Sequence, residues 1–277
     1  MKELKEACLK LLRQYTNKDI IKITNSGDSA IFTALFIAKE QGHKEVLIPD
    51  QGGWLTYKTF PKLLDLKVTE LKTDYGIICP EDLKKYKNTA LIYTSYAGYF
   101  AAQDVEAIYN IAKSNNIFVI LDASGALSHK ILCNGESADI ILGSFGQWKI
   151  ADLGYAGFLA ANKLSKEIKD SDILKLTKSH EINYNQLLQK LKQAPGRLQF
   201  LINKAEEIKQ QDFSFIHKDK EGINVIIKYK DDKEKQQILK FCKSNNLEYK
   251  ECPLYIKVME KAISIEVKRL SKTSNAQ

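Results

Sequence analysis

Continuous apolar runs of strand length alternate with helical stretches along most of the chain. IIKIT (20–24), VLIP (46–49), ALIYT (90–94), IFVILD (117–122) and ADIIL (138–142) are rich in β-branched residues, the pattern of strands buried on both faces. Between them, DSAIFTALFIAKEQG (28–42), LTYKTFPKLLDL (55–66, with a kink expected at Pro61) and AAQDVEAIYNIAKSNN (101–116) read as helices. Strand and helix in alternation imply right-handed crossovers, hence an α/β fold with a mostly parallel sheet and helices on both faces. A helical stretch near 183–210 then leads into a different rhythm. INVIIKYK, a helix at DDKEKQQILKFCKSNN, and short strands at LEYKE, YIKV and AISIEV predict a small α+β domain. The expected division is a large α/β domain over 1–180, followed by a connecting helix and small domain over 181–277, with the boundary region at 165–210.

Composition narrows the class. A chain of 277 residues, 44% hydrophobic and 27% charged, buries a full core and has globular usage. No run approaches the roughly 20 apolar residues that span a bilayer. The opening MKELKEACLKLLRQY alternates charge and apolar groups at helical spacing, unlike a secretory signal. The five cysteines (8, 79, 133, 242, 252) never form CxxC. Reduced thiols in a cytoplasm are therefore expected, with no disulfide framework and no metal site. The net charge of +8 raises the question of nucleic acid, but arginine occurs only at Arg13, Arg197 and Arg269, and the lysines are scattered. Base readout and phosphate clamping favour clustered arginine forks. The charge reads as solvated surface.

Ligands of an open α/β sheet gather where its strands end at their carboxyl edge. After IIKIT comes NSGDSA, where Ser26, Gly27, Asp28 and Ser29 place amides and hydroxyls at a helix N-terminus. That suits a phosphate, and it equally suits a plain N-cap. After VLIP comes DQGGW, whose Trp54 either stacks on a planar ring or fills core. IFVILD ends on Asp122, followed by Ala123, Ser124, Gly125 and Ala126; a carboxylate buried there needs a partner. After ADIIL comes Gly143-Ser144-Phe145, with Lys149 five residues past the serine in a turn between two apolar runs. Taken alone, Lys149 is either a solvated turn residue or a reactive amine. Taken together, the phosphate cup, aromatic plate, buried carboxylate and turn lysine are the parts that pyridoxal 5'-phosphate requires. The lysine forms a Schiff base with its aldehyde, and the carboxylate keeps the pyridine nitrogen protonated. Burial beside a cationic ring would lower the lysine pKa and raise its nucleophilicity. His129 reads as a surface histidine.

Over residues 18–162 the chain resembles the fold-type I pyridoxal-phosphate enzymes, and within them the DegT/StrS group of sugar aminotransferases. The group's S-G-T-[SA]-A-L phosphate turn is matched by Ser26-Gly27-Asp28-Ser29-Ala30-Ile31, and its strand-ending aspartate by Asp122. Its S-F-x-x-x-K motif is matched by Ser144-Phe145 and Lys149, with Gly154, Ala156, Gly157, Phe158 and Leu159 following in register. TSYAGYFAAQDVEAI (94–108) is similar to the group's H-x-x-G stretch. Three features depart from the pattern: Asp28 stands for a threonine, Gly125 for a glutamine that lies near the ring hydroxyl, and DQGGW is one residue out of step with the aromatic position that Trp54 would fill. The resemblance implies a pyridoxal-phosphate aminotransferase and a homodimer that closes the phosphate cup; Asn183 and Asn185 read either as polar helix surface or as the group's cross-subunit asparagine. Lys149 would act twice, as the cofactor's amine and as the acid/base at the substrate carbon. The alternatives are a lyase or desulfurase, and a catalytically silent binding protein.

Aminotransferases acting between two amino acids hold the α-carboxylate with an arginine fork. Here the small domain offers Arg269, Lys257 stands in YIKV where an arginine is common, and Arg197 in QAPGRLQF reads as solvent-facing. That scarcity fits a keto-sugar acceptor.

Overall fold

In the computed structural model, which describes residues 2–165, 168–169 and 171–271, six strands deliver their carboxyl ends to one edge of a seven-stranded sheet. Parts of the assigned 1–180 and 181–277 segments at 1, 166–167, 170 and 272–277 lie outside the described residues. The large sheet contains β1 (Ile20–Thr24), β2 (Glu45–Pro49), β3 (Lys67–Leu71), β4 (Ala90–Thr94), β7 (Phe118–Asp122), β8 (Ile140–Ser144) and β9 (Gly157–Ala161), in the order β1-β9-β8-β7-β4-β2-β3. Between β4 and β7 lie two short paired strands, β5 (Tyr96–Ala97) and β6 (Ala101–Ala102). Pairing from β8 through β3 is parallel, and β9 alone runs against its two neighbours.

Every residue of β4, β7 and β9 is buried. Helices cover both faces of the sheet, which is why these strands read as unbroken apolar runs. One face carries α2 (Gly27–Glu40) and α3 (Thr56–Leu63); the other carries α1 (Lys2–Thr16) and α4 (Val105–Ser114), in separate apolar clusters. Helix α2 starts where the Ser26 side chain accepts the Ser29 amide, and α4 where Asp104 accepts the Ala107 amide at 3.1 Å. A short helix, α5 (Asp172–Thr177), packs on α2.

The 26-residue helix α6 (Tyr184–Lys209) lies along α1 and carries the chain into the C-terminal domain. There β10 (Val225–Lys228), β12 (Ala262–Ile265) and β11 (Tyr249–Glu251) form an antiparallel sheet in that order, with α7 (Asp232–Ser244) packed against it. YIKV is not a strand. The Leu254 amide donates to the Val258 carbonyl at 2.9 Å and the Lys257 amide to the Leu254 carbonyl at 2.8 Å, closing a turn that consumes the hydrogen bonds a sheet would need. The C-terminal domain also touches the β5–β6 turn directly: the Ala102 amide donates to Glu221, and the Ile223 and Asn224 amides both donate to Tyr99.

Candidate active site

A cavity of about 130 Å³ at the carboxyl edge is lined by Ser26, Gly27, Asp28, Ile31, Trp54, Tyr99, Asp122, Ser124, Ser144 and Lys149. Six of the seven residues singled out by sequence therefore face one space. The seventh, Ser29, stands in the first turn of α2, where its amide donates to Ser26 Oγ at 3.0 Å.

Lys149 is held in its turn by hydrogen bonds on either side of it. The Phe145 carbonyl accepts the Leu153 amide at 2.8 Å, and Asp152 Oδ2 accepts the Trp148 amide at 2.7 Å. Trp148 takes a left-handed φ of +62°, a conformation costly for a bulky residue and typical of a constrained site. The ammonium ends between two rings, 4.9 Å from the Trp54 centroid and 4.8 Å from that of Tyr99, and donates to Tyr99 Oη at 2.6 Å. Burial alone would lower its pKa, but Tyr99, Asp122 and Asp28 outweigh that and hold it above the ordinary lysine value.

Asp122 is 5% exposed at the end of β7, and both its oxygens are partnered: Oδ2 accepts from Tyr57 Oη at 2.8 Å and Oδ1 from the Ser124 amide at 2.9 Å. Tyr57, wholly buried on α3, has its pKa driven up by burial and then by the Asp122 charge. The Ser124 hydroxyl in turn accepts the Ser144 amide at 2.9 Å, linking the ends of β7 and β8.

At α2 the amides of Gly27 and Asp28 lie in the first turn and have no intrahelical acceptor. A Cβ on Gly27 would come within 2.7 Å of Ser144 Cβ, so only glycine allows the helix end to approach β8. Asp28 Oδ1 accepts from Trp54 Nε1 at 2.8 Å and from Thr56 Oγ1 at 3.2 Å. The threonine-to-aspartate departure therefore fixes the indole that walls the cavity. Gly125 has an equally concrete reason: a Cβ there would lie 2.8 Å from Tyr99 Cδ1.

Other expectations fall elsewhere. Arg197 is half-buried and donates to the Lys268 and Leu270 carbonyls at 2.9 and 3.1 Å. Arg269 pairs with Glu248 at 2.5 Å and covers the Trp148 ring at 4.0 Å. Lys257 is buried and paired with Glu266 at 2.8 Å. His129 pairs with Glu221 at 3.2 Å, with its side chain 21% exposed. Asn183 caps α6, accepting the Gln186 amide at 3.0 Å, and Asn185 lies exposed on that helix. Tyr57, Tyr99 and Thr56 were not found from sequence, because aromatic and hydroxyl residues at helix and turn positions carry no spacing signature.

This arrangement of sheet, crossover helices and carboxyl-edge lysine is that of the fold-type I pyridoxal-phosphate enzymes. Residues 6–200 match the DegT/DnrJ/EryC1/StrS aminotransferase family, and the chain belongs to it. Residues 196–276 match the MJ1341 family C-terminal domain. No curated protein sequence matches the chain. Among solved structures it is similar to the subgroup IV aspartate aminotransferase of Thermus thermophilus, with TM-score 0.72 and 15% identity over 99% of this chain and 87% of that one. It is also similar to DndA of Streptomyces lividans (0.71, 12%, 95% and 88%) and to the serine palmitoyltransferase of Sphingomonas wittichii (0.71, 11%, 95% and 70%).

The residues present fit pyridoxal phosphate in kind. A helix N-terminus and a glycine cradle face the cavity at α2, a buried carboxylate stands at β7, and an amine lies between two rings. Among the described residues, no group of His, Cys, Asp and Glu could hold a metal ion, and no helix is long and apolar enough to cross a membrane.

Proposed function

We propose that the protein is a pyridoxal-phosphate-dependent aminotransferase that passes the amino group of an amino acid to a keto sugar, with Lys149 as its amine. The observation that carries this reading is the convergence of Lys149 and Asp122 on one cavity beneath the α2 N-terminus. When bound, the cofactor supplies an aldehyde for amine capture and a ring that withdraws electrons from the substrate carbon. The Gly27 and Asp28 amides and the Ser144 hydroxyl would hold its phosphate, and Asp122 its ring nitrogen. Tyr57 and the Ser124 amide keep the Asp122 carboxyl group oriented in a buried place. Trp54, anchored by Asp28, walls the cavity and excludes water from Lys149 Nζ. Lys149 holds a proton at Nζ and must release it before acting as nucleophile or base.

The keto-sugar acceptor is supported by where the arginines are. No arginine lines the Lys149 cavity, and the two in reach of the C-terminal domain are engaged with backbone carbonyls, Glu248 and Trp148. The desulfurase alternative needs a mobile thiolate. Cys8, Cys133, Cys242 and Cys252 are buried, and burial pushes the first three up to about 11, 12 and 11. We propose a cytoplasmic setting, on the odd number of cysteines and their lack of a CxxC pair.

The family resemblance carries a homodimer. Leu55, beside Trp54, is 58% exposed and Tyr155 is 41% exposed, apolar surface that a second copy would cover. We place the domain boundary at 180/181, before α6. To test the reaction, protein loaded with pyridoxamine phosphate is mixed with a panel of keto sugars and 2-oxo acids, and the return of the visible band is followed. Fast return with a nucleotide-linked keto sugar is expected. Fast return with a simple 2-oxo acid, and none with any sugar, would refute the acceptor assignment.

A further inference from the structure

Tyr99 reaches Lys149 at a cost that core packing does not explain. It has a left-handed φ of +70° directly after Gly98 at +52°, backbone that a ring-bearing residue rarely adopts. Such strain persists where surrounding structure over-determines it, and here the C-terminal domain does so. The Ile223 and Asn224 amides both donate to the Tyr99 carbonyl at 2.9 Å, and Lys257 Nζ donates to the Gly98 carbonyl at 3.4 Å. The amines of Lys268 and Lys257 stand 3.8 and 5.4 Å from the ring centroid. On the large-domain side, the missing side chain at Gly125 leaves the ring its space: a Cβ there would meet Cδ1 at 2.8 Å and Cε1 at 3.0 Å.

We infer that Tyr99 is a positioning residue for Lys149, its hydroxyl oxygen accepting the Lys149 ammonium, and that the C-terminal domain acts on this amine through its grip on Tyr99. The inference rests on the proposed function only in taking Lys149 as the reactive amine. An acceptor at 2.6 Å favours the charged form of a lysine that burial would otherwise neutralise. The other charged or titratable groups facing the pair are Asp28 from α2, Tyr57 from α3, Asp122 from β7, and Lys257, Glu266 and Lys268 from the C-terminal domain. Removing the Tyr99 hydroxyl leaves Asp28 and Asp122 as the groups that hold the proton on Lys149 against burial.

The consequence runs against the usual effect of deleting an active-site group: without Tyr99 Oη, Lys149 should become neutral, and so nucleophilic, at lower pH. Full-length wild type, Tyr99→Phe and Gly125→Ala are labelled with trace acetic anhydride across a pH series, and acetylation of Lys149 is measured by mass spectrometry. Only the neutral amine reacts, so the profile reads its protonation. Tyr99→Phe should move the midpoint down by about one unit, giving roughly tenfold more label at a fixed pH below both midpoints. Gly125→Ala, which displaces the ring with its hydroxyl intact, should move it in the same direction. Circular dichroism checks that each variant is folded, and a purely structural role for Tyr99 would change stability without moving the midpoint. Midpoints equal to wild type in the folded variants would overturn the inference. Pyridoxal-phosphate loading of the wild type is followed separately by absorbance; its failure would overturn the proposed function without touching the labelling result, which needs no cofactor.

Discussion

Replacing Asp122 by asparagine separates a catalytic carboxylate from a structural one. In the wild type, Oδ1 accepts the Ser124 amide at 2.9 Å and Oδ2 accepts the Tyr57 hydroxyl at 2.8 Å. Asparagine can keep the first bond through its carbonyl, but its amide nitrogen then faces Tyr57 as donor to donor. Tyr57 is wholly buried, so its hydroxyl proton is left without an acceptor, at a cost of about 1–3 kcal/mol. The Asp122→Asn protein should therefore fold and unfold at lower denaturant. Turnover should fall much further, by ~10²–10³-fold, because the lost charge is the one that stabilises charge developing on the bound ring. The double variant Tyr57→Phe/Asp122→Asn distinguishes the two effects. It removes the stranded hydroxyl but leaves the asparagine Nδ2–H facing an apolar ring, so stability should recover in part, while turnover stays low. Chemical denaturation and steady-state kinetics on the three proteins provide the assay. If Asp122→Asn kept near-normal turnover, or if the double variant restored turnover along with stability, Asp122 would be a structural partner of Tyr57.

Asp28→Ala strands the Trp54 and Thr56 donors, which it now accepts at 2.8 and 3.2 Å; urea unfolding should show a loss of about 1–2 kcal/mol, and Asp28→Asn, which keeps one acceptor oxygen, a smaller one. Lys268 is pushed down to about 6 by burial, then by Lys257 and Lys149. Above that value the native amine is neutral while the unfolded chain stays protonated up to about 10.4. The unfolded state thus binds more protons, and stability rises with pH upward from about 6 and is lost as pH falls toward it. In Lys268→Met this slope, at most about 1.4 kcal/mol per pH unit, should disappear from urea midpoints measured between pH 6 and 9. Light scattering should give twice the 31.5 kDa chain mass; a monomer with cofactor bound and activity intact would refute the dimer.

The layers of this fold were legible because its strands are short, buried on both faces and separated by helices of ordinary length. The expected segments at 20–24 and 90–94 coincide with β1 and β4, and most others differ from the observed elements by a few residues. YIKV failed because a four-residue apolar pattern carries no information about a turn closing on itself. β3 carries no buried-strand signal, because Val68 and Leu71 are the only apolar residues of KVTEL. At the site, strand ends and the lysine turn gave Asp122, Ser144 and Lys149 positions on one edge, and the structure brings them to one cavity. What sequence could not supply were the partners from other elements. Tyr57 lies 65 residues from Asp122, and Tyr99 50 residues from Lys149. The aspartate at position 28 finds its reason in an acceptor role toward Trp54, 26 residues away.

The central claim is that Lys149 is the amine that binds the cofactor, and one measurement addresses it directly. Purified protein is incubated with pyridoxal phosphate, its visible spectrum recorded, and the sample reduced with borohydride, digested and mapped by mass spectrometry. The account predicts a visible band that reduction abolishes and a phosphopyridoxyl group on the peptide carrying Lys149. A stoichiometric label on any other lysine, with Lys149 unmodified, would contradict it.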